Sequence, residues 1–154
     1  MTDLIQGKWF APGDNLSPVL LVRTAVFGRG ADHLDPVSWN VLVLQDGAPA
    51  AAGRIWWEDG VFRLGDIGVL EACRRQRLGD LVLRLLLFKA QSHAAREVRL
   101  VCPRNVAGFF SRLGLREQST LSGDTVEMMI PGDRIDLDTC RSCPKSDCPN
   151  RQPC

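Results

Sequence analysis

The stretch from Ile67 to Leu81 joins an apolar strand, an arginine-rich turn and the start of a long amphipathic helix. Apolar residues then recur at helical spacing as far as about position 95. This order aims the free backbone N–H groups of a helix N-terminus, with arginines beside them, at one point in space. Such a point suits a phosphate or a pyrophosphate, so we expect a phosphorylated ligand at this turn.

Composition narrows the class of protein. A chain of 154 residues with 45% hydrophobic and 24% charged residues fits one globular domain with a hydrophobic core. The formal net charge of +1 gives no general attraction to nucleic acid or to acidic membranes. No apolar run is long enough to span a bilayer, and the first residues lack the apolar core of a secretory signal. We therefore expect a cytoplasmic protein with no nucleic-acid partner and no membrane partner.

Hydrophobic periodicity and turn residues predict the order of the elements. The dipeptides Asp46-Gly47 and Asp59-Gly60 are typical of hairpin turns, so the first three predicted strands are expected to form an antiparallel meander. Gly114 is placed to end the last helix in the left-handed conformation. These features predict an α+β (mixed α/β) domain, with helices over 17–27, 78–95 and 105–113 and strands over 41–44, 50–57, 61–70, 98–101 and 125–130.

Two blocks of the sequence resemble the GNAT superfamily of acetyl-CoA-dependent N-acyltransferases. The first, Arg74-Arg75-Gln76-Arg77-Leu78-Gly79, is similar to the family pattern Gln/Arg-x-x-Gly-x-Gly/Ala. The second, over 105–115, is similar to Asn-x-x-Ala-x-x-Phe-Tyr-x-x-x-Gly-Phe, and the whole resemblance covers residues 20–130. It implies a GNAT-like fold, in which a central, mostly antiparallel sheet is flanked by helices and splays between strands 4 and 5. On this basis we expect a GNAT-like acetyltransferase domain over 1–134 and a cysteine-rich tail over 135–154.

The resemblance also implies a binding site for acetyl-CoA. The strand before the arginine-rich turn would bond the pantetheine arm like an added strand, and the N–H groups of the turn and helix would cradle the pyrophosphate. A slot for the acyl thioester would open between the splayed strands, with Asn105 and Phe110 beside the thiol end. The implied coenzyme-binding residues are Ile67, Gly68, Val69, Arg74, Arg75, Gln76, Arg77, Leu78, Gly79, Asp80, Leu81, Asn105 and Phe110.

Two departures from the family pattern bear on the chemistry. Arg77 stands where the family has a glycine, which permits a positive φ and a close approach to phosphate, although a guanidinium can bond phosphate oxygens in compensation. We expect coenzyme binding to persist, with a looser loop. Phe110 stands where many members have a tyrosine that protonates the departing thiolate, and the chain contains no tyrosine. Either the thiolate leaves unassisted or through water, or catalysis has been lost.

Candidate catalytic bases are the carboxylates beside the expected slot. An amine that is protonated at pH 7 must lose a proton before it attacks a thioester. Asp66 on the strand and Glu71 at its end are the two candidates, although each could equally be a solvated group on a strand edge or turn. Asp32 and His33, in the loop after the first helix, form a weaker candidate pair.

A separate signal lies at the end of the chain, where four cysteines crowd together: Cys140, Cys143, Cys148 and Cys154. Four thiolates so close in sequence suffice for tetrahedral zinc or for a [4Fe–4S] cluster. Four cysteines in so short a tail favour a metal site over a tail with incidental thiols. A single pair has the Cys-x-x-Cys spacing, so the sequence does not decide between zinc and iron–sulfur.

The sequence therefore leads to two hypotheses about function. The first is an N-acetyltransferase that moves an acetyl group from acetyl-CoA to a primary amine of a small-molecule or peptide acceptor by direct attack. The alternative is a non-catalytic, CoA-binding GNAT-like module whose cysteine tail binds metal and acts as a sensor or docking element. Nothing in the sequence identifies the acceptor, and the frequent dimers of the family add a homodimer to the expectations.

Overall fold

The computed structural model describes residues 4–137, and the four tail cysteines lie outside this range. The strands are β1 (Ile5–Phe10), β2 (Ser38–Gln45), β3 (Ala48–Glu58), β4 (Val61–Val69), β5 (Glu97–Pro103), β6 (Arg116–Ser122) and β7 (Thr125–Pro131). The helices are α1 (Ser17–Phe27), α2 (Leu78–Ser92) and α3 (Ala107–Ser111). Across the described residues the seven strands form one sheet in the order β1-β2-β3-β4-β5-β7-β6, in which only β4 and β5 pair in parallel. The expected mixed α/β architecture with a mostly antiparallel sheet is confirmed.

Both predicted hairpin turns have the geometry that the meander needs. Asp46 and Gly47 have φ values of 52° and 84°, and Asp59 and Gly60 have φ values of 51° and 84°. Two consecutive residues with positive φ are typical of a type I′ turn, whose twist matches that of the flanking strands. β2, β3 and β4 therefore pair antiparallel in chain order, as predicted.

The sequence prediction missed two strands, β1 and β6, and both lie at the edges of the sheet. Every residue of β6 is exposed, and Phe10 is the one buried residue of β1. An edge strand is held by backbone hydrogen bonds to one neighbour and does not need a regular set of buried apolar side chains. Hydrophobic patterning therefore does not reveal such strands, and the predicted set was incomplete at both edges.

The two long helices cover opposite faces of the sheet. A Cβ atom at Gly53 of β3 would lie 2.7 Å from Val82 and 3.0 Å from Leu86, so this position faces α2 at close range. The neighbouring Ala52 points to the other face and packs in one cluster with Val19 of α1. The larger core lies between the sheet and α2, and the smaller one lies between the sheet and α1. No helix within residues 4–137 has the length and apolar character needed to cross a membrane.

The helix expected over 105–113 is shorter than predicted. Arg104–Val106 form a 3-10 turn, and α3 itself ends at Ser111. Gly114 has a φ of 100°, which confirms the left-handed residue after the helix.

The sheet opens between β4 and β5, as the resemblance implied. The two strands pair over 62–64 and 98–100, after which β4 continues to Val69 and β5 to Pro103 with no further pairing between them. β4 stays hydrogen-bonded to β3 as far as Val69, whereas β5 follows β7 along its whole length. A gap therefore opens at the C-terminal end of β4.

Replacing Gly53 with alanine tests the close approach of α2 to β3. The added methyl group would meet Val82 at 2.7 Å, so the helix must shift or the side chains must repack. We expect a loss of about 1–3 kcal/mol in the free energy of unfolding, measured by urea denaturation. Gly123→Ala is the matched control, because a Cβ atom there has no neighbour within 4 Å. Equal stability of the two variants would contradict the tight contact.

Candidate functional site

The end of β4, the start of α2 and the short helix α3 meet beside the gap. A Cβ atom at Gly79, in the first turn of α2, would lie 3.5 Å from Val69 of β4 and 3.5 Å from Phe109 of α3. Because position 79 is a glycine, no side chain stands between the helix start and the end of the strand. The mouth of the gap is thus bordered by a strand end, a helix N-terminus and an aromatic ring.

Val69 presents its backbone to the gap. The Leu70 N–H donates to the Ala50 carbonyl at 2.8 Å, and Val69 is paired with Ala51. In an antiparallel ladder this pattern makes Ala51 and Val69 a non-hydrogen-bonded pair, so the N–H and C=O of Val69 point away from β3. Since β5 has already diverged, these groups face the gap. The Val69 carbonyl accepts a hydrogen bond from Arg74 Nε at 3.1 Å, which an incoming amide N–H would have to replace.

Two arginines of the turn adopt the left-handed conformation. Arg75 has a φ of 67° and Arg77 has a φ of 61°. For a residue with a Cβ atom this conformation costs roughly 1–2 kcal/mol. Position 77 therefore has a positive φ, which a glycine would adopt more easily, while it carries an arginine. The turn combines a glycine-like backbone with added guanidinium groups.

The first turn of α2 offers backbone donors. The first intrahelical bond runs from the Leu81 N–H to the Arg77 carbonyl at 3.1 Å, so the preceding N–H groups stand at the positive end of the helix dipole. The side chain of Leu78 is buried in the core, and the Asp80 carboxylate accepts a hydrogen bond from Arg84 Nε at 2.8 Å. Leu78 and Asp80 can therefore bind a ligand through their backbone N–H groups more readily than through their side chains.

The two residues expected beside the thiol end of the coenzyme have different surroundings. Asn105 is exposed on the 3-10 turn after β5, whereas Phe110 is 7% exposed and packs in the larger core. Phe109 meets Phe110 edge-on, with 5.0 Å between ring centroids, and it is the ring that borders Gly79. The motif did not single out Phe109, because spacing alone cannot tell which of two adjacent rings faces the core.

The thirteen predicted coenzyme-binding residues differ in how far they are buried. The exposed ones are Arg74, Arg75, Gln76, Arg77 and Asn105; the half-buried ones are Ile67, Val69, Gly79, Asp80 and Leu81; and the buried ones are Gly68, Leu78 and Phe110.

Asp66 occupies an irregularity in β4. Asp66 and Ile67 lie opposite the single residue Gly53 of β3, which is the arrangement of a β-bulge. At this bulge Asp66 has a φ of 53°, and its side chain is 5% exposed. The bulge lies just beyond the last pairing of β4 with β5, so Asp66 stands where the gap begins.

The Asp66 carboxylate belongs to a cluster of ion pairs beneath α1, and Arg29, in the loop after α1, bonds both of its oxygens. Arg54 Nη2 lies 2.9 Å from Asp66 Oδ2, and Arg23 Nε lies 3.6 Å from the same oxygen. Asp35 accepts hydrogen bonds from Arg23 Nη1 at 2.8 Å and from Arg54 Nη1 at 3.1 Å. The Asn40 amide oxygen accepts a further bond from Arg23 Nη2 at 3.0 Å. The ion cluster, as we call it, consists of Arg23, Arg29, Asp32, Asp35, Arg54 and Asp66.

Asp32 lies at the rim of the ion cluster. It accepts hydrogen bonds from Arg54 at 2.6 Å and 2.8 Å, and these bonds hold the pKa of Asp32 well below its usual range. Burial raises the pKa of Asp35, but the bond from Arg23 and the surrounding positive charges outweigh it and leave the pKa lowered. Both carboxylates are therefore counter-ions of the arginines. Asp32 is hydrogen-bonded to Arg54, whereas the neighbouring His33 is exposed.

Of the two candidate bases, Asp66 lies within β4 and Glu71 lies beyond its end. Glu71 is exposed and begins the 3-10 turn that follows the strand. The three residue steps from Asp66 to Val69 alone span roughly 10 Å. The two carboxylates therefore cannot serve the same acceptor nitrogen: Asp66 lies at the start of the gap, and Glu71 lies beside the arginine-rich turn.

The predicted metal site on Cys140, Cys143, Cys148 and Cys154 lies outside the described residues, and it stays a prediction. Within residues 4–137 no group of three or more His, Cys, Asp and Glu side chains could hold a metal ion. Cys73 and Cys102, the cysteines inside this range, are free thiols.

Comparison with known proteins identifies the family that this chain matches. The family described as "Acetyltransferase (GNAT) family" matches residues 14–115. Glucosamine 6-phosphate N-acetyltransferase 1 of Oryza sativa subsp. japonica is 33% identical over 104 residues, and the match spans 61% of this chain and 59% of that relative.

Solved structures show the same fold at low sequence identity. An acyl-CoA N-acyltransferase from Pseudomonas aeruginosa superposes with a TM-score of 0.75 at 20% identity, covering 82% of this chain and 99% of that one. A GNAT family acetyltransferase from Elizabethkingia anophelis with acetyl-CoA bound has a TM-score of 0.65 at 12% identity, covering 82% of this chain and 97% of that one.

Asp66→Asn tests the role of the ion cluster in stability. Asparagine tolerates the left-handed conformation but carries no charge, so it leaves two buried guanidinium groups with one counter-ion fewer. We expect a loss of roughly 3 kcal/mol in the free energy of unfolding, measured by urea denaturation. Asp59→Asn makes the same exchange at a φ of 51° in an exposed hairpin turn, and it should change stability by less than about 0.5 kcal/mol. A similarly small effect at position 66 would show that the cluster does not need this charge.

Arg77→Gly tests the conformation of the turn. Relief of the left-handed arginine should raise the free energy of unfolding by about 1 kcal/mol, while loss of the guanidinium should weaken the binding of a phosphorylated ligand. Arg74→Gly is the control, since Arg74 has a φ of −72° and gains no such relief. Thermal unfolding would measure the first effect and calorimetric titration with coenzyme A the second. If Arg77→Gly and Arg74→Gly destabilise the chain equally, position 77 does not carry this strain.

Proposed function

Because the chain belongs to the acetyltransferase (GNAT) family, we propose that it transfers the acetyl group of acetyl-CoA to a primary amine of an acceptor. The amine nitrogen forms an amide bond with the acetyl carbon, and the thioester C–S bond breaks. The ammonium form of the amine first releases one proton to solvent, and the nitrogen loses a second as the amide forms. The sulfur departs as a thiolate that takes one proton up. The transfer is direct, in a site that holds donor and acceptor together.

The observation that carries this proposal is the backbone of Val69, whose N–H and C=O point into the mouth of the gap rather than to β3, with the carbonyl bonded by the exposed Arg74 side chain. Its N–H and C=O can pair with an extended ligand that carries amides, as an added strand would. A Cβ atom at Gly79 would lie only 3.5 Å from Val69, so such a ligand passes directly to the helix N-terminus, which suits phosphate. Amides followed by phosphates are the chemistry of the pantetheine and pyrophosphate of coenzyme A.

Different residues beside the gap would bind different parts of acetyl-CoA. When bound, acetyl-CoA supplies the acetyl group as a reactive thioester. Val69 would hold the pantetheine amides, and the N–H groups at the start of α2 would hold the pyrophosphate. The exposed guanidinium groups of Arg75 and Arg77 would add charged hydrogen bonds to phosphate oxygens. Phe109 would border the arm opposite Val69.

Asp66 is the carboxylate that we assign to the acceptor side. It lies at the bulge where β4 and β5 part, whereas Glu71 lies beyond Val69, beside the arginine-rich turn. A buried carboxylate at that point can bind an ammonium group and orient the nitrogen toward the gap. Glu71 lies too far beyond the end of β4 to bind an ammonium group at the bulge.

In the proposed reaction the thiolate leaves without a proton from a tyrosine side chain. The chain has no tyrosine, and Phe110 at the corresponding position is buried in the core. A thiolate is a tolerable leaving group because thiols have a pKa of about 8.5. Burial, with a contribution from Glu117, raises the pKa of the Cys102 thiol, which keeps it protonated and argues against an acyl-cysteine intermediate.

Glucosamine 6-phosphate is the first acceptor to test, because it is named in the description of the rice relative. The chain spans 59% of the length of that relative, so its acceptor comes to this protein as a proposal. The non-catalytic alternative, the metal on the cysteine tail, the homodimer and the cytoplasmic location stay predictions.

Acetyl-CoA should raise the melting temperature of the chain. A ligand that binds only the native state stabilises it by about 2.7 kcal/mol at a concentration 100 times its dissociation constant. Thermal unfolding with and without acetyl-CoA measures this effect, and AMP, which lacks the pantetheine arm, is the control. An unchanged melting temperature in acetyl-CoA would remove the basis of the proposed site.

Transfer itself is measured by loss of the thioester absorbance with glucosamine 6-phosphate and with a panel of simple primary amines. We expect consumption of acetyl-CoA to depend on the amine and an acetylated product to appear. Coenzyme binding without transfer to any amine of the panel would instead favour the non-catalytic module.

A further inference from the structure

The two oxygens of the Asp66 carboxylate have different partners. Oδ2 faces inward and is shared by Arg54 Nη2 at 2.9 Å, Arg23 Nε at 3.6 Å and Arg29 Nη1 at 3.3 Å. Oδ1 is bonded by Arg29 Nη2. Arg23 and Arg54 therefore contact one oxygen of the carboxylate, and Arg29 contacts both.

Arg29 differs from the other cations of the ion cluster in its exposure. Its side chain is 49% exposed, against 2% for Arg23 and 4% for Arg54. Its neighbours in sequence are Gly28 and Gly30, and the former has a φ of 71° at the end of α1. The backbone of this segment is tied to α1, because the Gly28 N–H donates to the Thr24 carbonyl at 2.9 Å, so the freedom of Arg29 lies in its exposed side chain. Among the described arginines of the cluster, it is the one whose guanidinium already faces water, and to move further out it must give up its bonds to Asp66 and its contact with the Phe27 ring, 5.4 Å away.

Arg29 also completes the charge balance of the ion cluster. The cluster holds three arginines, Arg23, Arg29 and Arg54, and three aspartates, Asp32, Asp35 and Asp66. If the guanidinium of Arg29 leaves, one negative charge remains in excess, and the side chain of Asp66 is only 5% exposed. A charge in such a place requires a cationic partner.

We propose that Arg29 occupies the ammonium site of the acceptor on Asp66 and is displaced when a cationic amine binds. The incoming ammonium replaces the guanidinium as hydrogen-bond donor to Oδ1, while Arg23 and Arg54 hold Oδ2 in place. Arg29 is then a specificity-determining residue, because an acceptor must compete with it. Neutral or anionic nucleophiles lack the charge to do so, and the site selects primary ammonium compounds.

The inference deepens the proposed acetyl transfer and rests on it for its biological meaning, but the cation site can be tested without turnover. Arg29→Ala should leave a vacancy for a small ammonium ion at Asp66. We expect ethylammonium chloride to raise the melting temperature of this variant by roughly 2 °C or more above the value in tetramethylammonium chloride at equal ionic strength. Tetramethylammonium has the same charge but no N–H donor, so the difference reports hydrogen bonding at the site.

Arg99→Ala is the matched control. Arg99 is a 29% exposed arginine whose Nη1 bonds a 15% exposed carboxylate, Glu127, at 2.8 Å; the pair lies on β5 and β7, outside the ion cluster. This control should melt at the same temperature in both salts. The unaltered chain should show a smaller difference than Arg29→Ala, because ethylammonium must first displace the arginine. Equal melting temperatures of Arg29→Ala in the two salts would overturn the proposal. Arg29→Gln provides a second variant with a longer side chain if the alanine variant is poorly folded.

Kinetics provides the readout that ties the site to the acceptor. In Arg29→Ala the KM for the amine should fall several-fold while the KM for acetyl-CoA stays unchanged, a split that general loss of stability would not produce. A rise in the KM for the amine would overturn the displacement, since it would make Arg29 a contributor to acceptor binding. Failure of the unaltered chain to bind acetyl-CoA is a separate outcome that contradicts the proposed function and not the cation site.

Discussion

The contact between Arg54 and Asp66 is the interaction on which the arrangement of the site depends. Arg54 on β3 also bonds Asp32 and Asp35 in the loop after α1, and Arg23 of α1 bonds Asp35 and approaches Asp66. Buried charges are tolerated only with partners in good geometry, so each of these elements has little freedom to move relative to the β4 bulge. The smaller core beneath α1 is thereby organised by ion pairs as much as by apolar contact, and the loop after α1 is held beside the gap.

The gap itself follows from a competition between neighbouring strands. β5 is paired with β7 over its full length, but with β4 over three residues only, so it follows β7 when the two directions diverge. Val69 keeps its pairing with β3 and turns its N–H and C=O to the other side, where Arg74 Nε bonds the carbonyl. The strained turn through Arg75 and Arg77 then brings the first residues of α2 back to the strand end. Strain of this kind persists where the surrounding structure enforces it, and such places are often functional.

Much of the fold was accessible from local sequence patterns. The dipeptides Asp46-Gly47 and Asp59-Gly60 specified turns with positive φ, and the spacing of apolar residues specified α2, because both signals act over a few neighbouring residues. The edge strands β1 and β6 were not accessible in this way, because their pairing depends on a backbone edge presented by a distant neighbour. The same limit separates Phe109 from Phe110: adjacent aromatic residues are equivalent in a motif, and packing alone decides which one is buried.

The sequence by itself determined the strand, the arginine-rich turn and the helix that make the corner proposed to bind phosphate, since these are consecutive in the chain and their geometry is local. It also placed two carboxylates, Asp66 and Glu71, near that corner. Only the tertiary structure decided what surrounds them. Arg29 and Asp66 are 37 residues apart in the chain, and Arg54 and Asp35 are 19 apart. Their pairing depends on how α1 and its loop dock on the sheet, and no pattern within a single segment encodes that contact.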